Sequence, residues 1–244
     1  MNIVNCKNCN NQSDSKYCPS CGQLMSTHRI NLQYLVHEIQ HSIFHVDKGI
    51  LYTIKELALR PGNTLTEYLS GKRVSHFKPF AFVTILATIY GLLSHYLHIY
   101  PEIQILNDTS QSQKTTDIAF DWLYKHYAFT TYLLIPFYAL FSYILFKSKY
   151  NYFEHLVINA YLIGFQIILL IICLPFNYIS TSLYFFLPTI ASFLYFAWTF
   201  HQIFNNQLFT SIFKTVLITI LSSVLGLILG LIGGGLFTNN SISQ

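Results

Sequence analysis

The chain has 244 residues, of which 52% are hydrophobic and only 10% are charged, and its formal net charge at pH 7 is +4. A soluble domain usually carries about 25% charged residues, so this composition argues against a soluble protein and indicates that much of the chain lies in lipid. Nine of the fourteen Lys and Arg residues precede residue 80. The first 30 residues are polar and lack the apolar core of a signal peptide, so we expect the first membrane helix to act as the targeting signal.

Two Cys-x2-Cys pairs separated by eight residues lie in this polar segment: Cys6, Cys9, Cys18 and Cys21. Four thiolates at this spacing can hold one tetrahedral zinc ion, about 2.3 Å from each sulfur, and leave no open position for catalysis. Asn10 and Gly22 follow the two pairs and are residue types that tolerate the positive φ that such turns need. Two disulfides are the alternative, but a cytoplasmic segment is reducing. We therefore predict a structural zinc ribbon over residues 1–27.

The motif HEIQH follows, within a helix predicted over residues 32–46 and capped by Asn31. In zinc peptidases the two histidines of this motif bind the metal and the glutamate activates water, which would assign those roles to His37, His41 and Glu38. A third ligand at a recognised spacing is missing, and fewer than 60 residues lie between the ribbon and the first apolar run. A peptidase, or non-catalytic metal binding by the histidines, remains an alternative.

The same helix has an amphipathic pattern, which favours an interfacial role. At 100° per residue its apolar side chains fall within a sector of about 100°, and its histidines fall on the opposite side. The apolar stripe comprises Leu32, Leu35, Val36, Ile39, Ile43 and Val46. This stripe can face the membrane surface or a transmembrane bundle and leave the histidines toward water.

A second helix is predicted over residues 48–59, within a cytoplasmic region that we assign to residues 28–79. Asp47 is its expected N-cap, and the pair Pro61-Gly62 is expected to end it. Both assignments rest on local chemistry, since aspartate caps helices and proline cannot continue one.

A third helix is predicted from Thr64-x-x-Glu67, which is typical of a capping box, and Gly71 is its expected stop. Three cations stand between this helix and the first apolar run: Lys72, Arg73 and Lys78. We expect them to contact anionic lipid headgroups, with a purely topology-setting role as the alternative.

The order of these motifs resembles a bacterial family of zinc-ribbon-headed, multi-pass membrane proteins of unknown function. The resemblance rests on CKNC, YCPSCGQ, HVDKGILYTIKELALRPG, EYLSGKR and FKPF, followed by a hydrophobic region. It spans the whole chain but is specific only over about residues 6–80. It implies a bacterial cytoplasmic-membrane protein, and it brings no reaction, substrate or catalytic residue.

Five apolar runs lack Asp, Glu, Lys and Arg, and each approaches the ~20 residues that cross a bilayer. They cover residues 80–97, 128–146, 156–176, 183–204 and 216–237. With the N-terminus in the cytoplasm, twelve of the fourteen Lys and Arg residues face inward, so the positive-inside rule places the C-terminus outside. We predict an all-α integral membrane protein with a bundle over residues 80–237 and a short tail over residues 238–244.

Small residues recur at every fourth position of the last run: Ser222, Gly226, Gly230 and Gly234. Such a face lets another helix approach closely. Packing within the same bundle is the favoured interpretation, and homo-oligomerisation is the alternative.

Polar residues at membrane depth are few. The third run contains Asn159 and Gln166, and Glu154 and His155 lie near its cytoplasmic mouth. Such residues can mark a transport pathway, and hydrogen bonds between helices explain them equally well. A transporter of small or lipid-like molecules is therefore a second alternative function.

The leading hypothesis is a non-catalytic membrane scaffold or regulator, and no catalytic residue is assigned. The zinc ribbon is expected to bind a cytosolic protein partner or to sense the state of the membrane lipids. A nucleic-acid role is not favoured, because only Lys7, Lys16 and Arg29 lie near the ribbon and no aromatic-basic surface accompanies them.

Overall fold

Long helices make up most of the part of the chain that the structure describes. This computed structural model describes residues 3–42, 49–97, 99 and 127–242, with only the backbone of residues 37, 39–42, 230 and 232–242. The helices are α1 (Leu32–Ser42), α2 (Ile50–Leu59), α3 (Pro61–Ser70), α4 (Pro79–Tyr96), α5 (Tyr127–Phe146), α6 (Tyr152–Cys173), α7 (Thr181–Phe204) and α8 (Leu208–Ile242). A 3₁₀ helix, Leu174–Tyr178, continues α6. Near the N-terminus, strand β1 (Val4–Asn5) pairs antiparallel with strand β2 (Gln12–Ser13).

Five of these helices are long and apolar enough to cross a membrane, so the predicted all-α membrane architecture is confirmed. The candidate spans are Pro79–Tyr96, Tyr127–Phe146, Tyr152–Tyr178, Thr181–Phe204 and Leu208–Leu229. The last one begins earlier than residue 216 because α8 includes Lys214. The Lys214 ammonium lies 4.9 Å from the ring centroid of Phe146, close enough for a cation–π interaction.

Helix α6 lies at the centre of the bundle. It packs against α4, α5 and α7, whereas α8 contacts α5 and α7. In the most apolar window of each span, 61% of the residues of α6 are buried inside the protein, against 22% for α8. Fully buried apolar side chains of α6 include Val157, Ile158, Leu162 and Ile167. Helix α6 is therefore the most deeply buried of the five candidate spans.

The junction of α2 and α3 differs from the sequence prediction. Helix α2 has Gly49 as its N-cap, and the expected cap, Asp47, lies outside the described residues. Arg60 is at once the C-cap of α2 and the N-cap of α3, so Pro61 starts a helix instead of only ending one. Proline suits this first helical position because its fixed φ is helical and its missing N–H would have no partner there.

The predicted capping box at Thr64 is wrong, whereas the predicted stop of α3 is confirmed. Because α3 starts at Pro61, Thr64 lies inside the helix, and its hydroxyl donates to the Arg60 carbonyl at 2.9 Å. Gly71 has a φ of 115°, and its N–H donates to the Tyr68 carbonyl at 3.1 Å. A left-handed C-cap of this kind favours glycine.

Helix α1 has the predicted N-cap but a different buried face. Asn31 Oδ1 accepts a hydrogen bond from the backbone N–H of Tyr34 at 2.8 Å. Of the predicted apolar stripe, Leu35 is buried, while Leu32 and Val36 lie exposed on the protein surface. The other stripe positions have side chains outside the described part of the chain, and the predicted end of the helix at residue 46 lies there too.

Candidate metal centre and the adjoining pocket

The four N-terminal cysteines converge on one point. Their sulfur atoms all lie within 4.8 Å of one another, with 3.6 Å between Cys6 and Cys21 and 3.4 Å between Cys9 and Cys18. A tetrahedral ion about 2.3 Å from each sulfur needs roughly 3.8 Å between sulfurs, so this spread fits a single metal ion. All five cysteines of the chain are free, so the disulfide alternative does not apply.

Two tight turns present the sulfurs. Asn10 has a φ of 61° and Gly22 a φ of 74°, as the sequence predicted, and each donates its N–H back to the first cysteine of its pair at 2.9 Å. The N–H groups of Cys6 and Cys18 in turn donate to carbonyls beyond the turn, at 2.9 and 2.8 Å. The two Cys-x2-Cys pairs therefore form similar turns on either side of the site.

The Cys18 thiol is prepared for metal binding by the backbone around it. Burial raises its pKa, but hydrogen bonds from the N–H groups of Cys21 and Ser20, with smaller contributions from neighbouring thiols, outweigh burial and lower the pKa to about 6. The thiolate is the form of cysteine that binds metal. The pKa of Cys9, which shares a hydrogen bond with Cys18, is shifted in the opposite direction, so Cys18 loses its proton before Cys9 does.

The cysteine head, residues 3–30, is fastened to the start of α6. The Arg29 guanidinium contacts both carboxylate oxygens of Glu154, through Nε at 2.9 Å and Nη2 at 2.8 Å. The Asn151 amide donates to the Ile30 carbonyl at 3.0 Å. Glu154 is buried and also completes a capping box with Asn151 at the N-terminus of α6. The head thus shares its anchoring residues with the first turn of the central helix.

A second set of contacts joins the head to the loop between α3 and α4. Gln23 Oε1 accepts hydrogen bonds from the backbone N–H groups of Arg73 and Val74 at 3.1 and 2.9 Å. The Arg73 guanidinium donates to the His28 carbonyl at 3.0 Å and lies 4.6 Å from the ring centroid of Tyr34. Arg73, predicted to contact lipid, is therefore also a bridge between the head, α1 and α3.

The other two predicted lipid-contacting cations occupy different surroundings. The Lys72 ammonium lies 3.4 Å from a carboxylate oxygen of Glu67 on the outer side of α3. Lys78 is the N-cap of α4, at the point where the first span begins, and its side chain lines a pocket. Lys78 therefore contributes to the wall of a pocket, whereas Lys72 does not.

This pocket, of about 600 Å³, lies between the head, α1 and the loop that leads into the first span. Its charged and aromatic lining includes Arg29, Tyr34, Glu38, Tyr68, Arg73 and Lys78. Lys78, which contributes to the lining, immediately precedes the first candidate span. The pocket therefore adjoins the N-terminal end of that span.

Glu38 of the HEIQH motif points into the protein. Its side chain is buried, and the Tyr68 hydroxyl donates to Oε1 at 3.0 Å. Burial raises the pKa of Glu38 to about 7, against the opposing effects of the Tyr68 hydrogen bond and the charges of Lys78 and Arg73. The side chains of His37 and His41 lie outside the described part of the chain. The sequence interpretation of this helix did not place Glu38 in a buried contact.

Polar side chains inside the bundle form a cluster near the N-terminal end of α6. Ser142 Oγ lies 2.9 Å from His155 Nδ1 and accepts a hydrogen bond from the Asn159 amide at 2.9 Å. All three residues are buried. The sequence indicated that His155 and Asn159 lie one turn apart, but no local pattern pointed to Ser142 on another helix. The cluster links α5 to α6, as hydrogen bonds between membrane helices do.

Part of the small-residue face of α8 packs against the other helices of the bundle. Ser222 is buried, and a Cβ built on Gly226 would make ordinary contact with Leu134 of α5 at 3.5 Å. The surroundings of Gly230 and Gly234 lie outside the described side chains. The two described positions are therefore occupied by contacts within one copy of the chain.

Membrane-length helices and four converging cysteines define the class of the protein: a multi-pass, α-helical membrane protein with a site that can hold a metal ion. Residues 47–91 match the model of a family described as "Protein of unknown function (DUF3667)". The matched segment covers α2, α3 and the first part of α4, and it includes Arg73 and Lys78 of the pocket. Comparison with curated proteins finds no match. Comparison with solved structures finds none either.

Proposed function

We propose that the chain is a non-catalytic scaffold or regulator of a bacterial cytoplasmic membrane, with a cytoplasmic zinc ribbon that binds a protein partner. The observation that carries this proposal is the bidentate ion pair between Arg29 and Glu154. It ties the cysteine head to the central helix of the bundle. A conformational change in the head would therefore alter the contacts of α6. A head fixed to the bundle can pass the effect of partner binding on to the membrane helices, whereas a freely tethered module cannot.

Zinc is the metal that we propose for the head. Four thiolates in a tetrahedral arrangement form a closed structural zinc site. The head is too small to form an extensive apolar core, and its described buried apolar side chains are Cys6, Cys18, Met25 and Ile30. Metal binding would therefore supply much of its folding free energy.

The partner surface that we propose is the exposed part of the head. Ile3 is 69% exposed and Tyr17 is 55% exposed, although both are large apolar side chains. Tyr17 also pairs through an isolated β-bridge with Leu24, another exposed apolar residue, and contiguous apolar exposure is typical of an interaction site. Ile3 and Tyr17 both belong to the head, and Tyr17 also lines the pocket to which Arg29 contributes.

The proposed orientation places this surface in the cytoplasm. The head contacts the start of α6 through Glu154, and the Arg29 guanidinium donates to the carbonyl of Lys149. Lys214 lies beside Phe146 at the end of α5. The cations of the head and of these loops thus share one end of the bundle, which supports a cytoplasmic N-terminus by the positive-inside rule.

A cross-linked pull-down of the full chain from native membranes tests the partner proposal. Wild type should recover a reproducible cytosolic protein, and Ile3→Ser combined with Tyr17→Ser should lose it while retaining the metal. Leu59→Ser is a matched control, because Leu59 is an exposed apolar residue on α2 outside the head. Recovery of the same proteins from wild type and the head variant would contradict the proposal.

A cavity in the membrane region supports a second candidate function, the transport of a small or lipid-like molecule. It measures about 270 Å³ and is lined by Gln166 and Ser192 from two different spans. Ser192 Oγ is buried without a hydrogen-bond partner among the described residues. Translocation of a fluorescent lipid in proteoliposomes that is lost in Gln166→Leu with Ser192→Ala would favour transport over the regulator.

A further inference from the structure

The pocket between the head and the first span has the size and location of a ligand site. Its volume of about 600 Å³ lies within the range of small-molecule sites, roughly 300–1,000 Å³. Its walls come from four parts of the chain: the head, α1, Tyr68 of α3 and the loop before α4. Lys78 lies where the pocket adjoins the start of the first span. A ligand here would touch the head and the membrane-proximal bundle together.

The charges around the pocket favour an anion. Among the described residues, no carboxylate lies within ion-pair distance of Arg73 or Lys78. The third cation of the lining, Arg29, is already paired with Glu154. Glu38 is the one carboxyl group of the described lining, and its raised pKa of about 7 leaves it only partly charged at neutral pH. The lining therefore carries a net positive charge.

The uncharged lining is suited to a ligand with both polar and apolar parts. The ring of Tyr34 lies against the Arg73 guanidinium, and Leu24 and Val74 add exposed apolar surface to the walls. Arg and Lys side chains are the usual partners of phosphate oxygens. A bare inorganic ion would leave the apolar walls uncovered, whereas a phosphorylated glycerol or lipid headgroup would cover them.

We propose that this pocket binds a phosphate-bearing anionic headgroup, with Lys78 and Arg73 facing the phosphate. The source can be an anionic phospholipid of the adjoining leaflet or a free phosphorylated small molecule. The proposal deepens the regulatory function and rests on its docked, metal-loaded head. Occupancy of the pocket would then strengthen the contact between the head and the bundle.

Binding is measured on the full chain, loaded with zinc and purified in an uncharged detergent. The probes are dihexanoyl phosphatidylglycerol, dihexanoyl phosphatidylcholine and glycerol 3-phosphate, titrated by calorimetry. We expect saturable binding of phosphatidylglycerol, at least tenfold tighter than that of phosphatidylcholine. Comparable binding of glycerol 3-phosphate would support the shared chemistry and assign the source to a free phosphorylated molecule.

Two lysines give a matched pair of variants. Lys78→Gln should weaken phosphatidylglycerol binding by about 5–10-fold, because it removes a charge-assisted contact. Lys72→Gln removes the same charge outside the pocket lining and should change binding less than twofold. Lys78→Arg should retain binding within about threefold. Zinc content and melting temperature without ligand are measured for each variant, to show that the head remains folded.

Equal weakening by Lys78→Gln and Lys72→Gln would overturn the proposal, because it would indicate general surface attraction. Absence of saturable binding by every probe, or equal affinity for the two lipids in wild type, would overturn it as well. These two outcomes are measured on wild type, so they test the proposal even if Lys78→Gln fails to fold. Loss of partner capture with intact lipid binding would contradict the proposed function and leave this inference standing.

Discussion

Glu38 is a carboxyl group that the fold holds against the hydroxyl of Tyr68, away from water. Burial raises its pKa from 4.5 to about 7, so the folded state keeps the proton to higher pH than the unfolded state does. The stability contributed by protonated Glu38 is therefore fully present below about pH 4.5. It is lost as the pH rises toward and through about 7.

We predict that Glu38→Gln changes the pH dependence of stability. At pH 5.5 the neutral amide should leave the free energy of unfolding within about 1 kcal/mol of wild type. At pH 8 the variant should be more stable than wild type by about 1–3 kcal/mol, because glutamine avoids burying a charge. Thermal unfolding in detergent at both pH values measures the difference. An identical difference at pH 5.5 and pH 8 would rule out the buried carboxyl as its cause.

The same variant separates the regulator from the peptidase. A general base contributes about 10²–10⁴-fold to a rate, so a peptidase that uses Glu38 would lose its function in Glu38→Gln. We expect complementation in the native host to be retained at normal protein abundance. Loss of function with normal abundance and normal zinc content would promote the peptidase alternative.

The head is an element whose folding depends on its metal. Cys6→Ser combined with Cys18→Ser should abolish zinc binding and unfold residues 6–22, while the five spans remain inserted. Cys173→Ser is the matched control, because that buried cysteine lies at the end of α6, outside the four-cysteine site. Elemental analysis should give one zinc per chain for wild type and the control. Stoichiometric zinc in the double variant would refute the site, and two zinc ions in wild type would reopen the peptidase.

Helices α3 and α7 meet at a glycine. The N–H of Gly62 donates to Gln202 Oε1 at 2.9 Å, and a Cβ on Gly62 would overlap the Gln202 side chain. Gly62→Ala should therefore destabilise the protein by about 1–3 kcal/mol, despite the better helix propensity of alanine. Gly91 has nothing within 4 Å of its Cβ position, so Gly91→Ala should be neutral or slightly stabilising.

Thermal unfolding of the two alanine variants in the same detergent compares these sites. Gly62→Ala should cost less stability in a Gln202→Gly background than in wild type, because glycine removes the Gln202 Cβ that the new methyl group would overlap. Equal melting temperatures for Gly62→Ala and Gly91→Ala would show that α3 does not press on α7 at this position.

Features set by neighbouring residues could be predicted from the sequence. Asn10 and Gly22 follow cysteine pairs that need left-handed turns, and charge-free runs of membrane length marked the spans. The start of α3 was missed because proline can end one helix or open the next, and the choice depends on the packing of both. The contact of Glu38 with Tyr68 joins residues 30 apart, and that of Arg29 with Glu154 joins residues 125 apart. No local pattern specifies such pairs.

At the scale of the whole molecule, the sequence concentrates Lys and Arg in segments that we assign to one side of the membrane, and this asymmetry predicts the orientation. Twelve of the fourteen Lys and Arg residues are expected on the cytoplasmic side. A reporter fused after Gln244 should therefore be active outside the cytoplasm, and one fused at the N-terminus should be active inside. A C-terminal reporter active only inside would mean an even number of spans or the reverse orientation.

We propose that the metal-loaded head clamps the start of the central helix, α6, by holding its first turn in place. The ion pair of Arg29 with Glu154, and the bond of Asn151 to Ile30, make this clamp. If the head unfolds when its metal is removed, these contacts are lost together. The first turn of α6 should then become more exposed to solvent, although the deeper turns of the bundle stay protected.

Hydrogen exchange of the full chain in lipid nanodiscs, before and after removal of zinc with a chelator, tests this claim most directly. We expect faster exchange over residues 6–22 and also over residues 151–155, with the Cys6→Ser and Cys18→Ser double variant behaving like the chelated wild type. Fast exchange over residues 6–22 with unchanged protection at residues 151–155 would contradict the clamp.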